Sequence, residues 1–180
     1  VMYRARLTAA AAPVHSELAR VGLEDFDAPR ATAPVQGPTL AGLLAPDQAR
    51  GTLIVEEDGG RTLVTLVGAD LFASGSAAVN RAYHDTLRRV GAALEQVPGR
   101  VLVVGHTDDQ PLRSLRYRDN FELSRERAVS VVGLLRSATA DAARIEWTGA
   151  GASQPRYRPE SEPANRARNR RVEIVHVRGS

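Results

Sequence analysis

With 180 residues the chain suits one compact domain plus a tail or two very small domains, and its 43% hydrophobic content supplies a sizeable core. The net charge is +3, every one of the 24 basic residues is arginine, and acidic residues are interleaved, so no nucleic-acid face is expected outside 166–171. Cysteine is absent, which excludes disulfides, zinc–thiolate sites and thiol catalysis, and no run reaches the roughly 18 apolar residues that span a bilayer.

The opening VMYRARLTAA lacks a signal-peptide pattern and reads as the interior of a longer protein. Ala9–Val21 has weak helical character, with Val14, Leu18 and Val21 at compatible spacing. From Asp27 to Pro46 the four prolines Pro29, Pro34, Pro38 and Pro46 give linker composition, so residues 1–50 are expected to be a spacer and the folded unit to occupy 51–178. Thr52–Glu56 and Arg61–Val67 flank Glu57-Asp58-Gly59-Gly60, a β-hairpin signal. Ser76–Gln96 predicts a long helix with Val79, Tyr83, Leu87, Val90 and Leu94 inward, Ser74 or Ser76 as its N-cap and Pro98-Gly99 as its stop.

Val101–Val104 is an apolar run suited to a strand buried on both faces. Asp119 and Glu122 have capping-box spacing and open a helix to about Ser137, with Ala128, Val131, Val132 and Leu135 as its buried stripe. A strand at Arg144–Gly149, a short helix at Pro163–Asn169 and an alternating strand at Val172–Val177 complete the order. These elements predict an α+β fold. It is a two-layer α/β sandwich in which a small mixed sheet, preceded by a β-hairpin, carries helices packed on one face.

Chemistry concentrates between Val103 and Arg127. His106, Thr107, Asp108 and Asp109 lie where a buried strand ends, a favoured position for ligands. A metal site is disfavoured, because neighbours on an extended chain point to opposite sides and His15, His84 and His176 lie in other elements. No nucleophile motif, phosphate loop or paired acid and base is present, so an enzyme and a bound cofactor are not expected. Asn120, Ser124 and Arg127 recur at i, i+4 and i+7 and share a helix face. An acid and an arginine held on rigid elements suit a zwitterionic ligand, the arginine taking its carboxylate in a bidentate contact. An internal Asp108–Arg127 ion pair on a solvated face accounts for the same residues, and both readings stand. The run Asn165–Arg171 reads as a basic helix end from which one arginine reaches the mouth of the site. Trp147 reads as packing, and Phe72–Ser76 as a lip beside the Asp108 loop.

Three blocks carry a resemblance: Gly105-His-Thr-Asp108, then Asn120-x-x-Leu123-Ser124-x-x-Arg127-Ala128-x-x-Val131, then Asn169-Arg-Arg-Val-Glu-Ile174. In this order the chain resembles the OmpA-like peptidoglycan-binding domain over roughly 52–178. The resemblance implies non-covalent binding of diaminopimelate in the peptidoglycan stem peptide, with Asp108 receiving the ammonium and Arg127 the carboxylate. Thr107, Asn120, Leu123 and Ser124 would complete the pocket, with Phe72, Ser74, Asp109 and Arg170 at its rim. Leu71–Ala77 and the long loop Gln110–Tyr117 resemble the periplasmic part of the TssL family in its long form, which belongs to the type VI secretion membrane complex. The MotB stator family shares the long loop. The resemblance thus implies a periplasmic location, anchorage in the inner membrane by an upstream helix outside this chain, and secretion-complex subunits as partners, with a homodimer left open. Phe121 stands where the family has tryptophan, Arg118-Asp119 where it has Pro-Ser, and Asp109 where asparagine is common.

Overall fold

The computed structural model describes residues 37–66 and 70–179. The helix expected at 9–21 and the first part of the proline-rich spacer lie outside them. Two short helices open the described chain, α1 (Leu40–Leu43) and α2 (Ala45–Ala49). They are followed by β1 (Leu53–Asp58), β2 (Arg61–Leu66), α3 (His84–Glu95), β3 (Gly99–His106), α4 (Asn120–Arg136), β4 (Ile145–Gly151), α5 (Pro163–Asn169) and β5 (Arg171–Arg178). The sheet order is β1-β2-β5-β3-β4, with β3 and β4 parallel and every other pair antiparallel. The mixed sheet and α+β class agree with the sequence, and the hairpin joins the sheet through β2 against β5.

Local chemistry accounts for these elements. Asp58 pairs with Arg61, leaving Gly59-Gly60 as a two-residue turn with both φ values positive, the geometry that matches strand twist and that glycine adopts freely. Leu87, Val90 and Leu94 of α3 and Ala128, Val131, Val132 and Leu135 of α4 are buried against one sheet face, with Val64, Leu66, Val101, Val103, Val172 and Ile174 opposite them. The two helices cross at Gly91, where a Cβ would stand 2.5 Å from the carbonyl oxygen of Leu135.

Four expectations are corrected. The helix begins at His84 after a 3-10 turn at Arg81–Tyr83, so neither Ser74 nor Ser76 caps it. Gly75 at φ +67°, a bridge between Phe72 and Val79, and the Asn80 carboxamide accepting from Ala82 N–H shape residues 72–80 as a loop instead. The boundary near Arg50 falls inside packed structure: Leu40 and Leu44 join the core, and buried Asp47 receives Arg89 of α3 at 2.7 Å. Proline and alanine density masked this, since two leucines and one acid do the packing. Finally, β5 alternates in chemistry but is buried on both sides, because Val175 and Val177 join Leu63, Leu102, Val104 and Ala150 on the second face.

Candidate ligand-binding site

The site forms where β3, the start of α4 and the loop before α3 converge. Thr107 N–H donates to the Gly151 carbonyl at 2.9 Å, extending the β3–β4 pairing to the mouth of the cleft. The chain then turns at Asp108, whose Oδ1 accepts from Gln110 N–H at 3.0 Å. The expected cap of α4 is present: Asp119 Oδ1 accepts from Glu122 N–H at 2.9 Å. Glu122 answers one residue earlier than a standard capping box, accepting from Arg118 N–H and Nε. Glycine lets this helix sit close to the sheet. A Cβ at Gly105 would stand 2.1 Å from the Ser124 carbonyl oxygen, and one at Gly149 would stand 2.5 Å from Arg125 N.

These elements enclose a cleft of about 680 Å³. Thr107, Asp108, Asn120, Leu123 and Arg127 line it, with Phe72, Ser74 and Arg170 at the edge, so eight of the ten expected residues meet on one surface. Asn120 Nδ2 donates to the Gln110 carbonyl at 3.0 Å, tying the long loop to the helix start. Arg127 is buried. Its Nε donates to Ser76 O at 2.8 Å and Nη2 to Ala73 O at 3.3 Å, and its guanidinium lies 4.8 Å from the Phe72 ring centre. Two of its five N–H donors are thus used by carbonyls, and no carboxylate among the described residues forms an ion pair with it. Burial pushes its pKa down to about 10, Arg170 adding to the fall and Asp108 opposing it.

The internal Asp108–Arg127 pair is not formed. Asp108 Oδ2 instead meets Arg170 Nη1 at 2.6 Å, and Asp109 Oδ1 meets Arg166 Nε at 3.0 Å. The basic run therefore reaches the cleft through Arg170, while Arg166 takes the neighbouring Asp109. Asp109 does not line the cleft, and neither does Ser124, whose fully buried hydroxyl donates to Phe121 O and accepts from Gly151 N–H at 2.9 Å. Position i+4 on the shared face points Ser124 at β4, so helical spacing alone misplaced it. The sequence reading missed Gln110, Leu112 and Arg113, which also line the cleft. The unusual length of the 110–118 loop was the signal for them.

Behind the site lies a buried charge network on the second sheet face. His106 Nε2 is 2.6 Å from Glu173 Oε1, and Arg171 and Arg156 flank the same carboxylate at 3.4 and 3.8 Å. Arg156, from the loop after β4, also pairs with Glu56 at 2.5 Å and so ties β1 to β5. Burial would raise the Glu173 pKa, but Arg171, His106 and Arg156 together hold it well below the usual carboxylate range. Burial and Arg171 hold His106 below its ordinary value, against the opposing pull of Glu173.

The model of the OmpA family matches residues 71–170, more than half of the chain. The chain belongs to the OmpA family. Its match includes the Asp108 loop, all of α4 and Arg170. The probable lipoprotein YiaD of Escherichia coli strain K12 is 34% identical over 131 residues, which are 72% of this chain and 58% of that protein. Motility protein B of Bacillus subtilis strain 168 is 30% identical over 115 residues, 63% of this chain and 44% of that protein. The chain thus spans about half the length of the curated relatives it matches. Among solved structures, the cell wall anchor of the type VI secretion system from Pseudomonas aeruginosa is 40% identical. It superposes with a TM-score of 0.73 over 80% of this chain and 100% of that one. Within the OmpA family, then, this chain is similar in fold to a cell wall anchor, and the matched segment contains Asp108, Arg127 and Arg170 of the cleft.

Proposed function

We propose that this domain binds peptidoglycan without catalysis and fastens a type VI secretion membrane complex to the cell wall from the periplasm, tethered to the inner membrane. The ligand is the zwitterionic end of diaminopimelate in the stem peptide. The observation that carries this is a buried arginine, Arg127, which faces the same cleft as Asp108 and has N–H donors to spare and no carboxylate partner among the described residues. A buried cation without a counter-ion is costly, and a ligand carboxylate meets that cost with a bidentate contact. Asp108 already takes Gln110 N–H and Arg170, yet a carboxylate has about four acceptor positions, so a ligand ammonium can join it. The 40% identity to a type VI secretion cell wall anchor supports the choice of apparatus.

A second reading, a flagellar stator anchor, is favoured by the similarity to motility protein B. It predicts the same ligand and a different complex. Co-sedimentation with purified sacculi tests the shared claim: wild type pellets, while Asp108→Asn and Arg127→Lys remain in the supernatant. Unchanged pelleting of both folded variants contradicts the site, and failure of wild type to pellet leaves an interaction module that has lost the wall.

A further inference from the structure

The charge of the cleft wall exceeds what a zwitterion needs. Its charged lining residues are one carboxylate, Asp108, and three guanidiniums, Arg113, Arg127 and Arg170. An amino-acid zwitterion brings one positive and one negative charge and leaves the excess unchanged. Arg170 is already paired with Asp108, and Arg127 is the receptor for the zwitterion's carboxylate under the reading above. Arg113 is left over. It is exposed on the long loop and forms no ion pair with any described residue.

The neighbouring acids do not neutralise it. Asp109 is taken by Arg166 at 3.0 Å, Glu122 by Arg118 at 2.9 Å, and Asp119 caps α4. The loop carrying Arg113 is not a loose appendage either. Asn120 holds the Gln110 carbonyl at 3.0 Å, Ser114 Oγ accepts from Arg116 N–H at 3.0 Å, and Leu112 packs with Ala77, Tyr117 and Leu123. Arg113 is therefore carried at the rim by an anchored loop, exposed to solvent and without an ion-pair partner among the described residues.

We infer that the cleft selects stem peptides that carry one carboxylate beyond the zwitterionic end, and that Arg113 receives it. This rests on the wall-binding reading and adds a specificity to it. Two groups of a stem peptide have the required chemistry. One is the α-carboxylate left free by γ-linked glutamate next to diaminopimelate. The other is the second carboxylate of diaminopimelate itself, free when the peptide ends there. Amidation removes the charge while preserving the shape, and extension turns the diaminopimelate carboxylate into an amide and moves the free carboxylate one residue outward, so discrimination here follows the position of the charge.

Calorimetric titration of the full chain with four synthetic peptides tests this. They are the free tripeptide, the same tripeptide amidated at glutamate, the tetrapeptide extended beyond diaminopimelate, and the peptide carrying both changes. The free tripeptide is expected to bind about 5- to 10-fold more tightly than whichever form lacks the selected carboxylate, and the arm that weakens identifies the source. Arg113→Gln should bring the free tripeptide to the level of that weaker form. Equal affinity for all four peptides, or a preference that survives Arg113→Gln, overturns the inference while leaving wall binding intact. Absence of binding by every peptide contradicts the wall-binding reading itself, and the selectivity falls with it.

Discussion

Two glycines, Gly105 facing α4 from β3 and Gly133 within α4, should respond oppositely to alanine. At Gly105, on β3, an added methyl would stand 2.1 Å from the Ser124 carbonyl oxygen of α4 and 2.9 Å from its carbon. Carbon–oxygen contacts settle near 3.3 Å, so α4 must retreat by about 1.2 Å. Both partners are backbone, and no rotamer change can absorb the clash. Overpacking of this kind costs about 1–3 kcal/mol. At roughly 3 °C per kcal/mol for a domain of this size, Gly105→Ala lowers the Tm by about 3–9 °C. The same retreat carries Asn120, Leu123 and Arg127 away from Asp108, so ligand affinity falls too. Gly133, exposed within α4, is the control. Its Cβ would meet nothing within 4 Å, and Ala there raises stability by about 0.5–1 kcal/mol. Urea unfolding of both variants gives the measurement. A Gly105→Ala variant as stable as wild type, or a Gly133→Ala variant that is destabilised, refutes the close docking of α4 on the sheet.

The buried network predicts acid sensitivity. His106 and His176 have folded pKa values below the ordinary histidine value, so the unfolded chain takes up their protons first. Their contribution is full above about pH 6.5 and declines as pH falls, and the urea midpoint should drop between pH 7.5 and 5. Glu173, depressed in the folded state, contributes above about pH 4.5 and loses its share on further acidification; a shallower acid limb in Glu173→Gln is expected, with Asp47 still contributing to the decline. Ser124→Ala removes the acceptor of the buried Gly151 N–H and should cost about 1–3 kcal/mol in the same assay, although Ser124 does not line the cleft. Arg170→Ala frees Asp108 Oδ2, and binding of the zwitterion should survive, because both primary charges remain.

Legibility in the sequence followed the range of the interactions. Local signals were read correctly: the Gly59-Gly60 turn, the Asp119 cap and the α4 stripe all depend on residues a few positions apart. Asp108, just past the end of a strand, and Arg127, two turns inside a helix, do line one cleft, as their placement on rigid elements suggested. What failed depended on distant partners. Leu40 and Leu44 sit in a proline-rich stretch and are recruited by the core, and Asp47 by an arginine 42 residues away. Arg170 occupies Asp108 from 62 residues away, a pairing that neither sequence segment announces alone. Ser124 shows the limit of face-sharing. Spacing put it on the ligand side, while the Gly149–Gly151 segment of β4 approaches closely enough to take its hydroxyl.

The proposed function turns on recognition of an ammonium and a carboxylate on one carbon, by Asp108 and Arg127. Paired titrations with a diaminopimelate tripeptide and its lysine counterpart test it most directly, because lysine keeps the ammonium and lacks only the carboxylate that Arg127 would hold. The diaminopimelate peptide should bind saturably and the lysine peptide should lose most of the affinity, with Arg127→Lys erasing the difference. Equal binding of the two peptides would contradict it.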